Sequence, residues 1–139
     1  MRKYTLVSFA FLVASVTFSA AQKDPVVVAK IALTGQGQPI PKTKILALKD
    51  TLYRVSAYAE MVVTPPDCGS SVGFDLMWTD DTGKHRKKQW GLVECFDPAA
   101  PSSAVVVHGG PGSSLFYQVE IRADSGAQYN LYITVERLE

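Results

Sequence analysis

Cysteine, histidine and tryptophan are scarce in this chain, with two of each among 139 residues. Two cysteines cannot build a disulfide-dense scaffold. The histidines, His85 and His108, lack the spacing that a zinc site requires. Neither sign of charge prevails, since 14 Lys and Arg face 13 Asp and Glu. That balance argues against a general binder of nucleic acid or membrane surfaces. A helical apolar period is missing as well: no segment sustains it beyond about two turns, so helix content should be close to nil. Disorder is excluded from the other side, because 47% of the residues are apolar.

What is present starts with an export pattern. Arg2 and Lys3 precede an almost unbroken apolar run from Leu6 to Phe18, and Ser19-Ala20-Ala21 supplies small residues before Gln22. A positive start, a short apolar stretch and a small-residue cleavage site make residues 1–21 a signal peptide. Residues 22–139 then form one domain in a secreted or periplasmic protein, slightly acidic once Arg2 and Lys3 are removed. No later segment is long and apolar enough to span a bilayer, so no membrane contact is expected after cleavage.

The remaining chain alternates with a period of two. Tyr53, Val55, Ala57, Ala59, Met61 and Val63 share one face of a strand, with Arg54, Ser56 and Glu60 on the other. Val72, Phe74, Leu76 and Trp78 alternate in the same way. Further strands are expected at Val26–Leu33, Lys44–Leu48, Lys87–Val93, Ala104–Val107, Leu115–Arg122 and Tyr129–Leu138, separated by Gly- and Pro-rich breakers. About eight strands at this spacing predict an all-β fold, an antiparallel β-sandwich of jelly-roll type.

Two Asp-X-Gly turns set registers. Asp81-Thr82-Gly83 places Phe74 opposite Trp90, Val72 opposite Leu92, Trp78 opposite Arg86 and Leu76 opposite Lys88. Asp124-Ser125-Gly126 places Val119 opposite Leu131, Tyr117 opposite Ile133 and Leu115 opposite Val135. Cys68 and Cys95 flank the first hairpin, and in an exported protein a bridge is the default. Closing that loop contributes roughly 3.5 kcal/mol in the chain-entropy model. The apolar register sets Cys68 opposite Phe96, one residue from Cys95, so a bulge or released strand ends would be needed. A free thiol pair and metal ligation are the alternatives; titrating two free thiols per denatured, unreduced chain would overturn the bridge.

Two stretches imitate a hydrolase. Val105-Val106-Val107-His108-Gly109-Gly110-Pro111-Gly112 resembles the oxyanion loop of proline iminopeptidases and related α/β-hydrolases, and Gly69-Ser70-Ser71-Val72-Gly73 fits a nucleophile-elbow pattern. In that family the oxyanion loop precedes the nucleophile, whereas here Ser71 precedes His108. The elbow also needs a following helix. A Gly/Pro turn between two strands is the better reading.

Other candidates concern binding. Asp80 and Asp81 read either as calcium ligands at a hairpin tip or as solvated turn acids. Among the aromatics, Trp78, Trp90, Tyr53, Tyr117 and Tyr129 fall on inward parity, while Tyr58 and Tyr132 fall outward and are candidates for a sugar platform or a subunit contact. Lys84-His85-Arg86-Lys87-Lys88 is the one dense charge run. It offers Lys84, Arg86, Lys87 and Lys88 to a glycan or other polyanion, or else protects a solvated strand edge.

Asp50-Thr51-Leu52-Tyr53-Arg54-Val55-Ser56-Ala57-Tyr58, Trp78 to Gly83 and Tyr129 to Glu136 together resemble a group of uncharacterised exported or phage-associated proteins. The Leu-Tyr strand start and the closing Tyr-X-Leu-Tyr strand are also loosely similar to C1q/TNF-like jelly rolls. That resemblance implies a compact jelly roll able to form homo-oligomers, trimers among them. The expected function is therefore non-enzymatic: a secreted protein of structure, assembly or protein contact, without cofactor or metal. The alternative is a glycan- or polyanion-binding module, and a hydrolase comes third.

Overall fold

The computed structural model describes residues 24–63, 71–94, 99–122 and 126–138. The signal peptide expected at residues 1–21 lies outside them, as do Cys68 and Cys95 and hence their bridge. Eight strands run in order: β1 (Val26–Gln36), β2 (Ile40–Ala47), β3 (Thr51–Val63), β4 (Ser71–Thr79), β5 (His85–Glu94), β6 (Ala99–Gly109), β7 (Ser114–Arg122) and β8 (Gln128–Arg137). They form two four-stranded antiparallel sheets, β1-β8-β3-β6 and β2-β7-β4-β5. No helix occurs among the described residues. The fold is a jelly roll.

Its topology follows from one nested pairing. The first strand pairs with the last, β2 with β7, β3 with β6 and β4 with β5. The chain is thus one long hairpin, rolled so that β8 meets β3 and β7 meets β4. Only the β4–β5 turn joins neighbours within a sheet; every other connection between consecutive strands passes from one sheet to the other. Alternation supplies the reason for rolling, because each strand has one apolar face to hide and the two sheets hide them against each other. Tyr53, Val55, Ala59 and Met61 of β3 enter the core, as do Val72, Phe74 and Leu76 of β4 and Leu115, Tyr117 and Val119 of β7. From β8 come Tyr129, Leu131, Ile133 and Val135.

Two sequence expectations need correction. The hairpin joining β7 to β8 does not exist: β7 lies between β2 and β4, and β8 between β1 and β3. Val119, Tyr117 and Leu115 are nonetheless buried with Leu131, Ile133 and Val135. They belong to opposite sheets instead of one ladder. Period-two alternation says which face is apolar, and a facing sheet satisfies it as well as a neighbouring strand does. Gly126 has the expected positive φ of 88°, yet β7 and β8 stand in different sheets, and the rest of the Asp124-Ser125-Gly126 turn lies outside the described residues.

The β4–β5 hairpin starts in the expected register, with Trp78 opposite Arg86 and Leu76 opposite Lys88. A bulge between Phe74 and Asp75 then shifts it, so that Phe74 faces Gly91 and Val72 faces Val93. Trp90 and Leu92 are not their partners. The extra residue is on β5, since β4 keeps an unbroken register with β7. Asp75 alternates with core-facing Phe74 and Leu76 and so stands on the outer face, where its carboxylate meets Lys87 Nζ at 2.7 Å. β2 begins earlier than expected, at Ile40, and β6 begins at Ala99 and contains Pro101. β6 is an edge strand, which is where a sheet tolerates proline.

Candidate functional site

The tip of the β4–β5 hairpin is built around Asp80. Its Oδ1 accepts hydrogen bonds from the Thr82 amide (3.0 Å), the Thr82 hydroxyl (2.7 Å) and the Lys84 amide (2.9 Å). Oδ2 accepts from Arg86 Nε at 2.6 Å. Asp80 N–H donates to the Lys84 carbonyl and Gly83 N–H to the Asp80 carbonyl, with Gly83 at φ 78°. The side chain is buried, so it is no solvated turn acid, and it spends its lone pairs on the turn and on Arg86. Thr82 first, then the Lys84 amide and Arg86, hold its carboxyl far below the ordinary carboxylate range. Among the described residues no cluster of acids, His or Cys is arranged to hold a metal ion.

The basic run begins in the turn with Lys84 and continues onto β5, an edge strand, and every residue from Lys84 to Lys88 is exposed. Arg86 is committed to Asp80 and Lys87 to Asp75. Contact with Asp75, by hydrogen bond and charge, raises the Lys87 ammonium above its usual range. Arg86 reaches Asp80 and not the Trp78 ring that it pairs with. Among the described residues, the cation found over an aromatic ring is Lys42 of β2, 4.5 Å from the centre of Phe116 on β7.

The hydrolase look-alikes have other occupations. Ser71 opens β4, whereas His108 stands beside the tip that closes it. Nine residues of strand separate the two ends, about 27 Å at strand rise. His108 Nε2 lies 3.3 Å from Asp50 and Nδ1 lies 3.1 Å from Asp81, so the imidazole joins the β2–β3 and β4–β5 turns. The glycines after it are packing devices. A Cβ on Gly109 would fall 2.6 Å from Leu48 Cβ, and one on Gly110 would fall 2.8 Å from the Asp80 carbonyl oxygen. The motif lets the β6–β7 turn lie against the hairpin tip.

Tyr58 and Tyr132 emerge where parity put them. They are cross-strand partners on β3 and β8, at the centre of the outer face of the first sheet, with rings 6.2 Å apart and 28° from parallel. The polar groups around them are already paired. Tyr58 donates its hydroxyl to Glu60 Oε2 (3.0 Å), and Asn130 Nδ2 donates to Glu60 Oε1 (2.8 Å). That bond to Glu60 raises the Tyr58 phenol above its usual range. Arg54 Nε donates to Glu136 Oε2 at 2.6 Å, raising the guanidinium and lowering the carboxyl.

Sequence reasoning missed Lys42, Asp75, Met77 and Phe116 as surface residues that act together. A weak signal existed for two of them. Lys42 shares the parity of Lys44 in a strand, and Asp75 interrupts an otherwise apolar segment.

No protein-family model matches the chain, and no curated protein does. Among solved structures, it is similar to a chain from the acid-stable capsid of Helicobacter pylori bacteriophage KHP30, with a TM-score of 0.51 at 14% identity over 85% of this chain and 90% of that one. More distant likenesses are the C-terminal family 22 carbohydrate-binding module of Clostridium thermocellum Xyn10B (TM-score 0.33, 14% identity, 66% and 62% covered) and the xylan-binding domain from the same module family (0.32, 15%, 66% and 62%). The capsid likeness shows a shared fold.

Proposed function

We propose that this chain is an exported, non-enzymatic structural protein that assembles by packing the outer face of its first sheet against further copies of itself. The distribution of exposed apolar side chains carries this reading. Val26 to Val28 on β1, Tyr58, Val62 and Val63 on β3, Val106 on β6 and Tyr132 on β8 are the large apolar residues left exposed among the described residues. All of them lie on the first sheet and none on the second. Tyr58 and Tyr132 are cross-strand partners, and Val106 pairs with Arg54, so these three share the outer face. Val26 and Val27 are consecutive and face opposite ways at the sheet's end. Apolar residues gathered on an outer face mark an interaction surface, whereas scattered single residues do not. The charges of that face are compensated within it, Arg54 by Glu136 and Glu60 by two donors. Docking would therefore bury few unpaired groups. The capsid likeness, at 14% identity, supports the architecture; the assembly reading rests on the surface.

Sedimentation across a concentration series tests it. The purified protein is expected to form a closed oligomer, with a trimer as the form implied by its resemblances. Tyr132→Glu places a charge at the centre of the face and should raise the dissociation constant about tenfold or more. Its melting curve should stay close to wild type, since the side chain is exposed. A wild-type chain that stays monomeric throughout the series, or a Tyr132→Glu variant that assembles unchanged, would remove the proposal.

A further inference from the structure

The second sheet carries a different surface. Its outer face holds a continuous row in register: Lys44 of β2 opposite Phe116 of β7, Phe116 opposite Met77 of β4, and Met77 opposite Lys87 of β5. Beside this row, towards the hairpin tip, is an open cleft of about 270 Å³. Its apolar wall is Phe116, Met77 and Trp78, and its rim is Lys42, His85, Arg86 and Lys87. A nearly neutral chain has thus gathered cations around an aromatic hollow.

We infer that this cleft binds one ring of an acidic polysaccharide, a pyranose bearing carboxylate or sulfate. Three features favour that ligand. The cleft is small, below the range of most pockets for drug-sized ligands, and suits a single ring. Aromatic and thioether surface receives the C–H face of a sugar ring, while the rim donates to its anionic substituent. The cations are also positioned before any ligand arrives. Arg86 is fixed by Asp80 at 2.6 Å, Lys87 by Asp75 at 2.7 Å and Lys42 by the Phe116 ring at 4.5 Å. Each keeps further N–H groups to donate, and the Arg86 and Lys87 side chains are half exposed or more. Fixing them within the protein lowers the ordering cost of binding. This site lies on the sheet opposite the assembly face, so the two readings stand or fall separately.

Titration of the purified protein with heparin oligosaccharides, polygalacturonate, neutral dextran, polyglutamate and single-stranded DNA, followed by calorimetry, tests the inference. Heparin and polygalacturonate should bind at low salt and weaken steeply as salt rises, and dextran should not bind. Lys42→Gln should weaken both acidic saccharides about tenfold. Phe116→Ala should weaken them as much or more and leave any residual polyglutamate binding unchanged. Lys30→Gln, on the first sheet, should bind like wild type. Absence of heparin and polygalacturonate binding at low salt would overturn the site. So would polyglutamate or DNA binding as tightly as the saccharides, or saccharide binding that ignores Phe116→Ala, because each reduces the surface to unspecific charge.

Discussion

Truncating Tyr129 to alanine is expected to lower stability by about 3–5 kcal/mol, the range for emptying a large aromatic site in a core. Tyr129 is fully buried and is among the largest side chains in that state. Its ring meets Phe74 edge-on, with centroids 6.0 Å apart and planes at 74°, and so fastens β8 of one sheet to β4 of the other. The hydroxyl donates to the Gln38 carbonyl at 3.0 Å, which ties the same ring to the β1–β2 corner. Tyr129→Phe keeps the ring and gives up that bond, for a loss of about 1 kcal/mol. Urea unfolding separates the two, and equal losses in both variants would move the energy from ring to hydroxyl.

The same residue shapes the alkaline limb. Burial first, with the neighbouring Tyr117 second, pushes its phenol up from 10.0 to about 12. A raised value means that the folded state holds the proton longer than the unfolded one. Its contribution is therefore complete below about pH 10 and fades as pH rises towards 12. The urea midpoint of Tyr129→Phe should fall less steeply than that of the wild type across this window. An unchanged slope would assign the alkaline limb to other groups.

Asp80→Ala is expected to lower the melting temperature by several degrees, more than any substitution among the exposed residues of the basic run. It removes the acceptor for two backbone amides, one hydroxyl and Arg86 at once. Asp80 itself is buried, so the donors aimed at its carboxylate lose a partner that water replaces only in part. The turn is also the centre about which the whole chain is rolled, so its loss is felt beyond the hairpin. Because the folded carboxyl is held below its ordinary range, its stabilisation is present above about pH 4 and fades as the acid protonates below that. Melting curves from neutral to strongly acidic pH should thus show a flatter acid limb for Asp80→Asn than for wild type. Asp81→Asn touches only the His108 link and should leave that limb close to wild type. The reverse order of the two variants would show that Asp81, and not Asp80, holds the tip.

Much of the fold was legible because its signals are local. Alternation along Tyr53–Met61 and Val72–Trp78 marks strands and their buried faces without reference to any partner. Asp81-Thr82-Gly83 marks the turn, and Trp78 opposite Arg86 follows by counting outward from it. The outward parity of Tyr58 and Tyr132 was readable for the same reason. The apolar count that placed Val119 beside Leu131 was equally sound, yet it could not distinguish a neighbour in the ladder from a residue facing it across the core. Burial of Asp80 was hidden too, since Asp-Asp-Thr-Gly reads as a polar turn until the Gly110 backbone packs against it.

Local periodicity and turn chemistry, then, determined from the sequence alone that this chain is eight alternating strands with a sharp hairpin at their centre. Tertiary structure decided which strands are neighbours, where the Phe74–Asp75 bulge shifts the register, and which cations are pinned by Asp75 and Asp80. It also gathered the exposed apolar residues onto one sheet and the basic residues around a cleft on the other. The physical reason is range. A side chain's face depends on its nearest sequence neighbours, but its partner depends on how a long hairpin rolls, and that minimum is set by the packing of both sheets together.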